Sequence, residues 1–290
     1  MKRSVRFFLF CLAAVFFLHS CAQSENKIAE QCDGLLARAF KPNEPGIAVI
    51  AVKEGEVVFR AGYGMANMEL GVPIRPDMVF RIGSVTKVFT ATAVMMLVER
   101  GMLSLDDKIG RYLPEYLKHG EKITVRHLLA HTAGIPNLFR SNEYNRLMRE
   151  DCFKLINDEV GVSDLLSTFK DQELEFPPGE KYSYSNSGYF LLGRIIENVS
   201  KKSYRDFLKE NIFEPLGMQD TRYYDSINLV PKRVLDYLQD DGGKFINNPY
   251  ESFSGILVYA AGGLMSTVDD LAKFNGVLSA GKPISPSNSI

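Results

Sequence analysis

The sequence predicts a mixed α/β fold of the α+β kind, in which one antiparallel β-hairpin is followed almost only by helices. Two apolar, β-branched runs, 47–53 and 56–63, are joined at Glu54-Gly55, a spacing that is typical of a hairpin. From Ser84 onward, apolar residues recur at helical spacing in several segments. The chain has 290 residues, of which 46% are hydrophobic and 24% charged, so it is long enough to bury a sizeable core.

The remaining elements follow in chain order. Residues 26–40 are predicted to form an amphipathic helix that ends before Pro42. An almost wholly apolar helix starts at Ser84 and ends at Glu99-Arg100-Gly101, and a helix that is apolar on every face belongs inside a protein. Further helical stretches are expected at 124–131, 139–175, 189–199, 204–213 and 267–278.

The first 20 residues are predicted to be a secretory signal peptide that is not part of the fold. Three basic residues precede the apolar run 7–18, which is too short to span a bilayer. The segment Leu18-His19-Ser20-Cys21 at the end of this run is similar to a bacterial lipobox. We therefore expect an exported lipoprotein, periplasmic or associated with the outer membrane, whose Cys21 carries the lipid and whose residues 21–26 form a tether to a membrane leaflet. Plain secretion with another cleavage site is the alternative.

Charge and cysteine content narrow the functions further. The net charge is -1, which provides no basic field for nucleic acid, so no nucleic-acid partner is expected. Two cysteines remain outside the signal and the expected anchor, Cys32 and Cys152. They could pair in an oxidising compartment, but two separate buried thiols are the favoured interpretation.

Two histidines on a predicted helix, His127 and His131, have the spacing of zinc ligands. No third ligand is apparent near them, and no His-Glu-x-x-His pattern occurs. Capping and packing roles are therefore favoured, and neither a metal nor another cofactor is expected.

The most informative motif is Ser84-Val85-Thr86-Lys87, at the start of the apolar helix. Residues three apart share a helix face, so the hydroxyl and the amine can touch. Burial near a helix N-terminus lowers the pKa of a lysine, which would let Lys87 take the proton of Ser84 and make it a nucleophile. The spacing alone is not distinctive, since it occurs four times: Ser24/Lys27, Ser84/Lys87, Ser167/Lys170 and Ser279/Lys282. The position of the second pair at the start of the apolar helix singles it out.

A second motif, Tyr184-Ser185-Asn186, is the only Tyr-x-Asn of the chain and follows a Pro-Pro-Gly break in a predicted loop. A tyrosine beside a cationic lysine could carry a proton to or from the serine hydroxyl. The asparagine carboxamide offers a donor and an acceptor to a substrate amide. Ordinary turn chemistry in a loop rich in Ser, Tyr and Asn is the alternative.

These motifs belong to a wider resemblance that covers roughly residues 30–280. In this region the chain resembles the superfamily of serine β-lactamases and penicillin-binding proteins. The resemblance is strongest to the branch with class C β-lactamases, D-Ala-D-Ala carboxypeptidases and related esterases. The resemblance implies a β-lactamase/transpeptidase-like fold within residues 27–290, with an antiparallel sheet flanked by helices and a helical subdomain at about 110–230. Five segments carry it, in this order: 80–87, 128–136, 178–186, 214–221 and 261–267.

The resemblance also implies a mechanism. Ser84 would be the catalytic nucleophile, Lys87 and Tyr184 would handle its proton, and Asn186 would bind the substrate amide. The backbone N–H of Ser84 would be one oxyanion donor. The partner would be a small-molecule or peptide substrate with an amide or ester, such as a β-lactam or a D-Ala peptide. A non-catalytic penicillin-binding or sensor-like protein and an inactive truncated fragment are the alternatives.

The third motif of the family, His or Lys followed by any residue and Gly, does not occur after Tyr184. In the family this motif lies on a strand beside the cleft. We therefore expect a chain that is truncated at its C-terminus and lacks the C-terminal strands of the sheet. Strands contributed by another chain are the alternative.

Overall fold

The computed structural model describes residues 27–114, 116–150, 161–224, 228–248 and 257–281. The predicted signal peptide, the tether with Cys21, and Cys152 with its possible pairing to Cys32 all lie outside these residues. The chain divides into two compact units, one formed by residues up to Met78 with Val234–Ile246, the other by Val79–Arg233 and the residues from Asn247 onward. Each unit is described by itself below.

The first unit contains the predicted N-terminal helix and hairpin. Residues 27–39 are helical, and strands Ile47–Lys53 and Glu56–Tyr63 pair antiparallel, as the sequence predicts. The turn between them has left-handed backbone at both central residues, φ 54° at Glu54 and 89° at Gly55, which is the geometry that a two-residue hairpin loop needs. Two short strand pairs complete the unit: Met65–Asn67 antiparallel with Val72–Pro73, and Tyr237–Gln239 with Phe245–Asn247, whose last residue falls just outside the unit.

The second unit is mostly helical and holds the large apolar core. A three-stranded antiparallel sheet lies beside its helices, with Leu264–Ser266 between Phe80–Arg81 and Arg222–Tyr223. Its α-helices are Thr86–Glu99, Leu117–Gly120, Val125–Leu129, Asn142–Glu150, Val162–Ser167, Asn186–Ser200, Tyr204–Leu208, Tyr259–Gly262 and Val268–Ser279. Tighter 3₁₀ turns occupy Gly83–Val85, Ile109–Arg111 and Leu138–Arg140, and a wider π turn occupies Lys209–Phe213.

The structure confirms the mixed α/β fold class and corrects the expected number of strands. The expectation of one hairpin followed almost only by helices is wrong, because seven further strands of two or three residues are present among the described residues. Strands this short cannot display a two-residue alternation of apolar and polar side chains, so the sequence pattern does not reveal them. The predicted helical subdomain at 110–230 falls inside the second unit and stays a prediction.

The Thr86–Glu99 helix is the element that positions the candidate site. Its buried face packs Phe89 against Phe274, with ring centroids 4.0 Å apart. The expectation that every face lies inside is wrong along one edge, where Val88 is 45% and Met95 40% exposed. The helix ends as predicted, with Gly101 in left-handed backbone. No helix among the described residues combines the length and apolarity that crossing a bilayer requires.

A close approach at Gly193 sets the distance between the Asn186–Ser200 helix and the Tyr259–Gly262 turn. A β-carbon at Gly193 would lie 2.4 Å from Tyr259 Cε1 and 2.5 Å from the Ala260 methyl group. Both neighbours are buried, so neither can swing into solvent. The absence of a side chain at this position therefore lets the turn sit directly on the helix.

We expect Gly193→Ala to lower the free energy of unfolding by about 1–3 kcal/mol, because the added methyl overpacks this contact. The matched control is Gly276→Ala in the Val268–Ser279 helix, where a β-carbon would meet nothing within 4 Å. This control should raise stability by about 0.5–1 kcal/mol through helix propensity. Urea unfolding of both variants measures the difference, and equal stability of the two would contradict the packing argument.

Candidate active site

Ser84 lies at a turn that is pinned to the central strand of the three-stranded sheet. The Ile82 N–H donates to Leu264 O at 3.1 Å, and the Leu264 N–H donates to Thr86 Oγ1 at 3.2 Å. Between these two bonds Gly83 adopts φ 48°, a left-handed conformation that favours glycine. The strand therefore holds the turn from both sides, and the Ser84 side chain stays exposed at the start of the helix.

Lys87 lies one turn further along and is buried, with 6% of the residue exposed. Its Nζ is 3.2 Å from Ser84 Oγ, 2.8 Å from Asn186 Oδ1 and 2.7 Å from the Ala261 carbonyl oxygen. A protonated amine donates to all three oxygens. A neutral amine can donate to the amide and carbonyl oxygens and direct its lone pair at the Ser84 hydroxyl. Burial lowers the pKa of Lys87 below its usual 10.5 and so favours the neutral form.

Tyr184 approaches the same hydroxyl from the solvent side. Its Oη lies 2.8 Å from Ser84 Oγ, and its side chain is 42% exposed. Lys87 Nζ lies 4.9 Å from the centroid of the Tyr184 ring. Two groups that can carry a proton thus flank one serine hydroxyl, one from the protein interior and one from the open side.

Asn186 is the first residue of the Asn186–Ser200 helix, and the expectation that it lies in the loop with Tyr184 is wrong. Ser185 keeps extended backbone, so the helix begins only at Asn186. Its carboxamide is buried, with Oδ1 accepting from Lys87 and Nδ2 donating to Asn137 Oδ1 at 3.4 Å. Asn186 therefore holds the lysine in place, and the predicted contact with a substrate amide stays a prediction.

The two histidines have different surroundings. His127 completes a capping box with Thr124 at the start of the Val125–Leu129 helix. The ring of His131 lies 4.6 Å from that of Tyr184, between centroids, and 5.0 Å from that of Tyr189. Within the described part of the chain, no three His, Cys, Asp or Glu side chains are grouped so that they could hold a metal ion.

Sequence reasoning finds the four polar side chains that the structure brings together and misses three of their partners. Ala261 contributes a backbone oxygen, which leaves no mark in a side-chain pattern. Asn137 and His131 come from segments far from either motif. In the sequence, both lie in or next to the 128–136 segment of the family resemblance, and the spacing of His131 from His127 gives no indication that it contacts Tyr184.

Three features of this site together define the class of the protein. They are a serine at the start of a buried helix, a lysine one turn later, and a Tyr-x-Asn segment that contacts both. This combination is characteristic of the superfamily of serine β-lactamases and penicillin-binding proteins. The chain belongs to the beta-lactamase family, whose family model matches residues 29–288.

Individual relatives agree with this placement. Penicillin-binding protein 4* of Bacillus subtilis (strain 168) is 35% identical over 194 residues, which cover 65% of this chain and 40% of that protein. The octameric penicillin-binding protein homologue from Pyrococcus abyssi is 32% identical, with a TM-score of 0.73 over 90% of this chain and 58% of that one. The D-amino acid amidase from Ochrobactrum anthropi SV3 is 28% identical, with a TM-score of 0.70 over 91% of this chain and 72% of that one. The chain thus spans well under half the length of the curated relative.

Proposed function

We propose that the protein is a serine hydrolase that cleaves an amide or ester through an acyl-enzyme at Ser84. One observation carries this proposal: Ser84 Oγ lies within hydrogen-bond distance of both Lys87 Nζ, at 3.2 Å, and Tyr184 Oη, at 2.8 Å. A serine hydroxyl becomes a strong nucleophile when a neighbouring group removes its proton. Family membership supports the same chemistry.

The proposed reaction has two balanced halves. In the first, Ser84 Oγ bonds to the substrate carbonyl carbon while its proton moves to neutral Lys87, directly or through the Tyr184 hydroxyl. The C–N or C–O bond then breaks, and the same proton returns through Tyr184 to the leaving amine or alcohol. In the second half, water attacks the Ser84 ester, gives its proton to the Lys87–Tyr184 pair, and releases the acid as Ser84 regains a proton. The Ser84 N–H would stabilise the oxyanion in both halves.

For the substrate, we favour amides of D-amino acids, with simple esters and β-lactams as further candidates of the same chemistry. The likeness to a D-amino acid amidase supports this choice. Ser84 and Tyr184 are both exposed residues, which leaves the nucleophile accessible to a small amide.

A substrate panel tests the proposed function. The purified protein is incubated with D-phenylalanine amide, its L-enantiomer, a nitrophenyl ester and a chromogenic β-lactam, and a fluorescent penicillin reports covalent labelling. We expect turnover of the D-amide or the ester, and a preference for the D- over the L-amide. Stable labelling without turnover of any substrate would favour the non-catalytic penicillin-binding alternative. The absence of both turnover and labelling would overturn the proposal and indicate an inactive chain.

We also propose that the protein is exported and anchored to a membrane leaflet by a lipid on Cys21. The support is the basic, apolar and Ser20-Cys21 pattern of the N-terminus. Growth of expressing bacteria with an alkyne-tagged fatty acid should label the wild-type protein and not Cys21→Ser. Equal labelling of the two, or none of the wild type, would contradict the anchor.

A further inference from the structure

We propose that His131 is a positioning residue whose neutral imidazole holds the tyrosine loop, residues 182–185, against Ser84, and that protonation of this imidazole releases the loop and lowers activity. The inference rests on the proposed function for its kinetic consequence. Its structural part concerns the link between one imidazole and one loop, which can be measured in an inactive protein as well.

The first observation is a hydrogen bond to the backbone between Tyr184 in the loop and Asn186 at the start of the following helix. The Ser185 N–H donates to His131 Nδ1 at 3.2 Å, and Ser185 is buried, with 6% exposed. Ser185 separates Tyr184 from Asn186, so this bond fixes the chain between them. A protonated Nδ1 would present an N–H to the Ser185 N–H, which removes the bond and leaves two donors facing each other, one of them on buried Ser185.

The second observation is ring packing. The imidazole contacts the Tyr184 ring at a centroid distance of 4.6 Å and the Tyr189 ring at 5.0 Å, with interplanar angles of 32° and 33°. Tyr182 approaches edge-on at 5.9 Å. Tyr189 is itself anchored, because its hydroxyl donates to the Leu129 carbonyl at 3.1 Å. The imidazole therefore fixes where the Tyr184 ring can lie relative to an anchored neighbour.

The third observation is the backbone of His131. It adopts φ 57°, in the left-handed region that only a few per cent of non-glycine residues occupy, histidine being one of the types enriched there. Its carbonyl oxygen accepts the Ser183 N–H at 2.9 Å, so the loop is tied to His131 by main chain as well as by side chain. Strained backbone of this kind persists where the surroundings hold it in place.

Burial favours the neutral form of the imidazole. Lys87 faces it from the Thr86–Glu99 helix, Tyr182 and Tyr184 face it from the loop, and Tyr189 from the following helix. Burial lowers the pKa of His131 below its usual 6.5, and Lys87 lowers it further whenever its amine is protonated. A histidine with a lowered pKa stabilises the folded form above pH 6.5, and this contribution is lost as the pH falls through the lower, folded-state value.

Nuclear magnetic resonance of the full chain tests the structural part directly. Histidine ring signals are followed from pH 8 to 4.5 in wild-type and Ser84→Ala protein, and the His131 signal is identified by its loss in His131→Asn. We expect a midpoint below 6.5 and a Ser185 amide shift that follows the same midpoint. A Ser185 amide that does not respond, or a midpoint at or above 6.5, would overturn the proposal. Both outcomes are independent of any catalytic activity.

Kinetics of two variants test the functional part. In His131→Asn the asparagine tolerates the left-handed backbone and keeps a side-chain acceptor that cannot titrate. Its kcat should therefore fall by about tenfold or less. The part of the wild-type decline in kcat below pH 6.5 that protonation of His131 causes should be absent from this variant. His131→Phe keeps a ring but no acceptor, so kcat should fall by about 10–100-fold at every pH, with KM changed less. His127→Asn is the matched control and should keep the wild-type pH profile.

Survival of the wild-type decline below pH 6.5 in His131→Asn would contradict the proposed release of the loop. If His131→Phe does not fold, the asparagine variant alone decides. A wild-type protein without turnover would refute the proposed hydrolase and leave the magnetic-resonance test of His131 standing.

Discussion

Replacing Ser84 with alanine is expected to lower kcat/KM by about 10⁴-fold or more, because the attacking oxygen is lost. Ser84 is exposed and contributes little to the core, so the variant should fold and still bind substrate. The matched control is Ser167→Ala, which removes the serine of another Ser-x-x-Lys pair. Ser167 is exposed, and its hydroxyl donates to the carbonyl oxygen of Asp164 in the preceding turn of the same helix. We expect its kcat/KM to stay within about twofold of wild type.

Steady-state kinetics with the best substrate of the panel measures both variants, and circular dichroism verifies that they are folded. Full hydrolysis by folded Ser84→Ala would exclude Ser84 as the nucleophile. A comparable loss in Ser167→Ala would show that the effect does not depend on the arrangement around Lys87.

Replacing Lys87 with methionine is expected to lower kcat by about 10²–10⁴-fold, because a group that exchanges a proton with Ser84 is removed. Methionine fills a similar volume but leaves Asn186 Oδ1 and the Ala261 carbonyl without their donor. The matched control is Lys170→Met, which alters the lysine that follows Ser167 and should leave kcat unchanged. Lys87→Gln keeps donors for the two oxygens and serves as a second variant if the methionine variant does not fold.

The pH–rate profile separates a chemical role of Lys87 from a purely structural one. Burial lowers the pKa of Lys87 from its usual 10.5, so the amine becomes neutral at a lower pH than in free lysine. If neutral Lys87 takes the Ser84 proton, kcat/KM rises with pH through this lowered pKa, and the rise is lost in Lys87→Gln. The same rise in folded Lys87→Gln would assign it to another group.

The parts of the fold that local sequence determines could be predicted. The 47–63 hairpin is visible because its turn and both strands lie within 17 consecutive residues. The same holds for the Ser84–Lys87 contact, which needs only one helical turn. Strands such as Phe80–Arg81 are too short for a pattern, and their pairing with Leu264–Ser266 depends on residues more than 180 positions away.

The candidate site, like the fold, could be predicted only in part from local sequence. The two motifs predict its four polar side chains, but they do not predict which other atoms these side chains contact. Lys87 donates to Ala261 O, a backbone atom 174 residues away, and Asn186 faces Lys87 and Asn137 because its helix begins one residue after Ser185. The importance of His131 depends on three tyrosine rings that converge only in the folded chain. Tertiary packing sets these relations, and sequence spacing does not encode them.

The most direct test of the proposed mechanism is to locate the acyl group. The protein is mixed with a reactive nitrophenyl ester, quenched in acid during turnover, digested, and examined by tandem mass spectrometry. We expect an added acyl mass on the Ser84 oxygen that appears during turnover and disappears when substrate is exhausted. An acyl group on another residue that forms and decays at the rate of turnover would contradict it.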